Sequence, residues 1–162
     1  PEHLAGRIAA VHALREVGEK VPPPPGEQRQ PLWPAPWFGS ISHCENSALA
    51  VVSSHPVGID IERRFTPALA AELESRIINA AEKPLLAASG LPFALALTLA
   101  FSAKESEFKA LPLPRQSGMD FLRMRITSIK EGMLRMQIDD ESVEVHWLQS
   151  DGRVITLCGK RK

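Results

Sequence analysis

Gly58-Ile59-Asp60-Ile61-Glu62 places two carboxylates two residues apart in a stretch where apolar and polar residues alternate. Side chains at i and i+2 of a strand share a face. Asp60 and Glu62 therefore point together, with Val57, Ile59 and Ile61 on the other side. A third acid, Glu105, lies in Phe101-Ser102-Ala103-Lys104-Glu105-Ser106-Glu107-Phe108-Lys109-Ala110, a stretch that reads as helix. Three carboxylates make a seat for a hard divalent cation, and a cation so held is the usual means of neutralising a phosphate ester. Lys104 and Lys109 beside them suit a diphosphate: the cation offsets the acids, and the lysines offset the phosphates. The bland alternatives are ordinary acids on a strand edge and a Glu105–Lys109 surface pair worth only ~0.3 kcal/mol. Gly58 favours the site, because it removes a side chain on the acidic face and leaves room for a ligand.

A second cluster is Gly39-Ser40-Ile41-Ser42-His43. Ser42 and His43 are neighbours on a strand and point to opposite faces, which excludes a nucleophile–base pair. Donation to phosphate oxygens is the easier chemistry. Trp33, Trp37 and Phe38 flank this strand, either as packing residues or as an apolar wall for a ligand.

The elements that carry these residues follow from periodicity. Leu4, Ile8, Val11, Leu14 and Val17 recur at helical spacing, with Gly18 as a stop. Pro22 to Pro25 opens a loop that runs through Pro34. Strands are expected at 38–42, 48–53 and 57–62. Thr66 caps a helix with Pro67 at its first position, running to about Ala80. Helices follow at 82–88 and 92–111, the second stopped by Leu111-Pro112-Leu113-Pro114. Strands are then expected at 123–130, 133–138, 142–148 and 153–158, with Glu131-Gly132 and Asp151-Gly152 as turns. This order predicts an α+β chain of two pseudo-symmetric lobes, each a helix on a small antiparallel sheet. Lobe one is about 1–65, the connecting helices about 66–90, and lobe two about 91–162. The acids would then meet in the cleft between lobes.

The 162 residues suit one domain, and 44% apolar content supports a core. Nineteen basic and nineteen acidic residues cancel, which argues against a nucleic-acid partner. Cys44 and Cys158 lack metal-ligand spacing and read as free thiols of a cytoplasmic protein. The apolar run from Leu85 to Ala103 is broken at Ser89-Gly90-Leu91-Pro92, so no membrane span is expected. Peripheral membrane association stays open. The chain opens on Pro1 directly before a helical pattern and reads as a fragment that begins upstream.

Trp37-Phe38-Gly39-Ser40-Ile41-Ser42-His43, Val57-Gly58-Ile59-Asp60-Ile61-Glu62 and the 101–110 segment, in this order and spacing, resemble three signatures of the 4'-phosphopantetheinyl transferase superfamily. Glu2-His3-Leu4-Ala5-Gly6-Arg7 and Arg29-Gln30-Pro31-Leu32-Trp33-Pro34 are similar to its enterobactin synthase component D subgroup. The resemblance implies a single transferase domain. Its activity would be Mg²⁺-dependent transfer of 4'-phosphopantetheine from coenzyme A to a serine of an apo carrier protein, releasing adenosine 3',5'-bisphosphate. Asp60, Glu62 and Glu105 match the metal-binding acids. Lys109 matches the lysine on the coenzyme A phosphates, with Lys104 beside it, and Ser42 and His43 match a donor pair near the nucleotide phosphates. Glu105 is expected to serve also as the base for the carrier serine, alongside Lys109 as the second catalytic residue. The aromatic wall would face an adenine ring or the pantetheine arm.

Related enzymes carry basic residues ahead of the first helix, a segment this chain lacks. Many also have Lys-Pro at the position of Gln30-Pro31, where Arg29 is expected to substitute. The implied partners are apo aryl- or peptidyl-carrier domains of a siderophore synthetase, met by a monomer or within a synthetase complex. The alternatives are a carrier-binding module without turnover and a metal-dependent phosphohydrolase.

Overall fold

Thr66 accepts the Leu69 N–H and Pro67 fills the first turn, so a helix starts where the chain leaves the acidic strand. That strand and the helix over Phe93–Ala110 organise the molecule. The computed structural model describes residues 2–19 and 32–159. Among these, helix α1 (Glu2–Glu16) packs on a hairpin of β1 (Phe38–Cys44) and β2 (Ser47–Ser53). Strand β3 (Val57–Arg63) is followed by helices α2 (Pro67–Ile77), α3 (Glu82–Ala87), α4 (Phe93–Ala110) and α5 (Leu113–Gln116). A 3-10 turn at Phe121–Arg123 leads to β4 (Arg125–Lys130), β5 (Met133–Ile138), β6 (Glu141–Ser150) and β7 (Arg153–Gly159). The chain is α+β, with helices packed on antiparallel sheets, as the element order predicts.

The two sheets are unequal. β1 and β2 form a two-stranded sheet, and the other five strands run in the order β3-β7-β6-β5-β4. β3 pairs with β7, the last strand of the chain, with Asp60 opposite Thr156. The periodicity places β3 with its sequence neighbours, but pairing puts it at the edge of the larger sheet. β1 still reaches it by a different route: Ser40 Oγ accepts from Ile59 N at 3.0 Å, and Ser42 Oγ accepts from Ile61 N at 3.0 Å. Two hydroxyls thus satisfy amides that an edge strand would otherwise leave open.

α4 is apolar nearly all round and buried along most of its length, as a helix through the centre of a domain should be. Leu97, Leu99, Ala100 and Ala103 are fully buried in one cluster with Leu134, Met136 and Val145 of the sheet. The helix lies directly on β3 and β7. Gly58 permits this contact: a Cβ there would run into the Ser106 carbonyl oxygen. The glycine makes room for α4, not for a ligand as its place beside the acids suggests. Gly58→Ala should therefore cost about 1–3 kcal/mol, as overpacking does. Urea unfolding checks this, and an unchanged midpoint would contradict the close packing of helix on strand.

Candidate active site

β3 and α4 bring Asp60 and Lys109 together. Asp60 is only 3% exposed. Its Oδ1 accepts from Lys109 Nζ at 3.3 Å and from Ser42 Oγ at 3.5 Å. Its Oδ2 is buried without a hydrogen-bond partner. Lys109 Nζ also donates to Ile41 O at 3.2 Å and Ile59 O at 3.0 Å. Its ammonium ties β1, β3 and α4 together, so the lysine is a strut as well as a charge. The salt bridge it forms runs across to β3, not along the helix to Glu105.

Glu62 and Glu105 complete an acidic field. Burial, then the charge of Asp60, a hydrogen bond with Asp60 and the charge of Glu105 push the Glu62 carboxyl from 4.5 up to about 8. Burial and then Asp60 raise Glu105 as well, while Lys109 pulls it down. The Glu62–Asp60 hydrogen bond joins two acids, so it exists only while Glu62 carries its proton. Among the described residues, no group of three His, Cys, Asp or Glu side chains stands as a ready-made metal cage. The acids share a field without forming a closed ligand set. Even so, an orphaned buried carboxylate oxygen and two raised carboxyls in a site with one lysine fit a hard cation. Such a cation brings the positive charge that Lys109 alone does not supply.

The Glu62 shift has a direct consequence for stability. A carboxyl raised in the folded state holds a proton that the unfolded chain releases. Its contribution is intact below pH 4.5 and is lost as pH rises through about 8. Without divalent cations, the thermal midpoint should fall between pH 5 and 8. Glu62→Gln should flatten that fall and raise the midpoint at pH 8. Parallel wild-type and variant curves would contradict the shared acidic field.

The other expected residues fall elsewhere. Ser42 is buried, and its hydroxyl is committed to Ile61 N and Asp60. His43 is exposed on the opposite face of β1, near Gly6 of α1. The pair is split by strand alternation, and Ser42 is engaged at the junction of β1 and β3. Lys104 is not in the cleft at all. It is fully buried, donating to Ile77 O at 2.6 Å and to Glu82 Oε2 at 3.0 Å. At 100° per residue Lys104 lies about 140° from Lys109 around the helix, while Glu105 lies about 40° from it. The spacing itself thus carried the signal that Lys104 faces away. Arg29, expected to grip coenzyme A, lies outside the described residues, as does Gln30-Pro31.

Next to Lys109 a groove of about 730 Å³ opens between the start of β1, the start of β3 and the end of α4. Trp33, Trp37, Phe38, Phe108 and Leu111 line much of it, and Lys109 and Ser40 add polar groups. Trp33 packs flat against Gly39, where no side chain could fit. The aromatic residues therefore do both jobs open from sequence: they pack, and they wall a ligand-sized groove. α5 supplies Leu113 and Gln116 to the same wall, a contribution with no motif to announce it.

Comparison with known proteins identifies the site's family. The family model for the 4'-phosphopantetheinyl transferase superfamily matches residues 56–158, which hold all three acids and Lys109. The chain belongs to this superfamily. The model for the 4'-phosphopantetheinyl transferase N-terminal domain matches residues 1–53. Enterobactin synthase component D of Escherichia coli (strain K12) is 54% identical over 157 residues, covering 97% of this chain and 75% of that protein. The Salmonella typhimurium protein of the same name is 49% identical, covering 96% and 70%. A crystal structure of holo-[acyl-carrier-protein] synthase from Neisseria meningitidis aligns over 65% of this chain and 98% of its own, with 17% identity and a TM-score of 0.45. A phosphopantetheinyl transferase uses coenzyme A as co-substrate. No helix among the described residues is long and apolar enough to cross a membrane.

Proposed function

We propose that this transferase moves 4'-phosphopantetheine from coenzyme A to a serine hydroxyl of an apo aryl- or peptidyl-carrier domain in enterobactin assembly, with Mg²⁺ as its cation. The observation that carries the cation reading is the buried, unpartnered Asp60 Oδ2 in a field shared with Glu62 and Glu105. The relatives named enterobactin synthase component D support the pathway.

Asp60, Glu62 and Glu105 would hold Mg²⁺, which supplies positive charge to the diphosphate oxygens when bound. Lys109 keeps a second positive charge where the acids meet the groove, so developing phosphate charge is met by a fixed partner. The apolar groove beside Lys109 suits the pantetheine arm or the adenine ring of coenzyme A. Glu105 takes the proton of the carrier serine, directly or through one water. Its raised carboxyl makes it a better proton acceptor near neutral pH than an exposed glutamate. The serine oxygen bonds to phosphorus, and adenosine 3',5'-bisphosphate departs. The protein acts in the cytoplasm as a monomer that meets its carrier within a synthetase complex.

The test is incubation of the protein with Mg²⁺, coenzyme A labelled in its pantetheine arm, and an apo aryl-carrier domain. The carrier should gain label as adenosine 3',5'-bisphosphate accumulates in equal amount, and EDTA should stop both. Carrier binding without label would return the protein to a binding module. Free 4'-phosphopantetheine released without carrier would make it a phosphohydrolase.

A further inference from the structure

Glu105 and Lys109 are aimed by α4, so whatever fixes that helix against β3 also fixes the site. Three buried hydroxyls do this on the sheet side. Thr156 of β7 stands directly opposite Asp60 of β3. Its Oγ1 lies 2.8 Å from Ser102 Oγ and 2.8 Å from Ser106 Oγ, and it donates to the Ser102 carbonyl at 2.9 Å. Ser102, Ser106 and Thr156 are all fully buried. Ser102 and Ser106 are one helical turn apart and bracket Glu105.

The three hydroxyl protons can all be placed. Thr156 donates to Ser102 O, Ser102 donates to Thr156 Oγ1, and Ser106 donates to Thr156 Oγ1 or back to Ser102 O at 3.1 Å. Apolar side chains of similar size would fill the same space without needing this satisfaction. Hydroxyls add direction: they lock rotation and height of the helix, whereas apolar contacts tolerate sliding. On the far side of α4 the buried Lys104 is held by Glu82 and Ile77, so the helix is pinned from both sides with Glu105 between.

We propose that Thr156 is a positioning residue for phosphopantetheine transfer: its hydroxyl, bridging Ser102 and Ser106, holds the turn of α4 that carries Glu105, while Lys109 is held by its own bonds to Ile41 O and Ile59 O. This rests on the reading of Asp60, Glu62 and Glu105 as the cation site.

Thr156→Val keeps the shape and removes the bridge. Its kcat should fall on the order of tenfold or more, with KM for coenzyme A within about twofold. Mn²⁺ affinity, read by electron paramagnetic resonance without substrates, should weaken in parallel. Thr156→Ser should restore both. In a Glu105→Gln background, Thr156→Val should cost little further kcat, because the two act through one carboxylate. If Thr156→Val does not fold, Ser106→Ala removes one arm of the bridge and should lower kcat and Mn²⁺ affinity in the same direction. Wild-type kcat in the folded variants would overturn the proposal, as would losses that multiply with Glu105→Gln. A wild type that turns over yet binds no Mn²⁺ would overturn the cation reading, and the kcat cycle would still judge Thr156.

Discussion

Asp60→Asn should lower the transfer rate by about 10³-fold or more while the protein stays folded. Asp60 is the most enclosed of the three acids and the one that touches Lys109. Asparagine keeps an oxygen for Lys109 and Ser42, so the junction of β1, β3 and α4 keeps its hydrogen bonds. What disappears is the negative charge and, on the proposed function, one cation ligand. A loss of 10³ corresponds to about 4 kcal/mol in the barrier, within the range a cation supplies to a phosphate transition state. The thermal midpoint at pH 8 should hold or rise, because the substitution relieves repulsion with Glu62 and Glu105. Initial rates at saturating coenzyme A and carrier, paired with thermal melts, check both. A rate within tenfold of wild type would remove Asp60 from the chemistry.

Lys104→Met should destabilise the fold by about 3–5 kcal/mol, the usual result of removing one partner from a buried ion pair. Both Lys104 and Glu82 are fully enclosed. Glu82 also accepts from Asn79 N and Ile126 N, each at 3.0 Å. The pair therefore joins the end of α2, the start of α3 and the edge of β4 to α4. Burial lowers the Lys104 ammonium's affinity for its proton, and the Glu82 carboxylate beside it opposes that. For a domain this size the midpoint should drop on the order of 10 °C. KM for coenzyme A, measured on the folded fraction at low temperature, should not change. A raised KM with an unchanged midpoint would return Lys104 to the diphosphate, where its position in the motif first suggests it belongs.

Lys104 shows where reading from sequence stops. That Asp60, Glu62 and Glu105 lie near one another was legible because strand alternation and motif spacing are local. β5 was legible to the residue for the same reason: Met133 to Ile138 is bounded by a Gly turn. The partner of a buried lysine is a long-range fact, and Glu82 sits 22 residues away on another helix. The edge pairing of β3 with β7 is equally non-local. α5 was hidden by Leu111-Pro112-Leu113-Pro114, which reads as a stop. Proline is tolerated in a first turn, so the same residues that end α4 begin α5. Ser42 read as a ligand donor because a hydroxyl shows no preference in sequence, and Ser40 carried no role at all. Only the approach of β1 to the open edge of β3 assigns them to its amides.

On the proposed function, Asp60, Glu62 and Glu105 share one cation. Crystals grown with coenzyme A and Mn²⁺ in place of Mg²⁺ test it directly through anomalous scattering. The expected result is one strong peak within about 2.0–2.4 Å of oxygens from all three carboxylates, with Asp60 Oδ2 among them. A peak bound to the diphosphate alone, or lying away from these acids, would contradict a cation site on Asp60, Glu62 and Glu105.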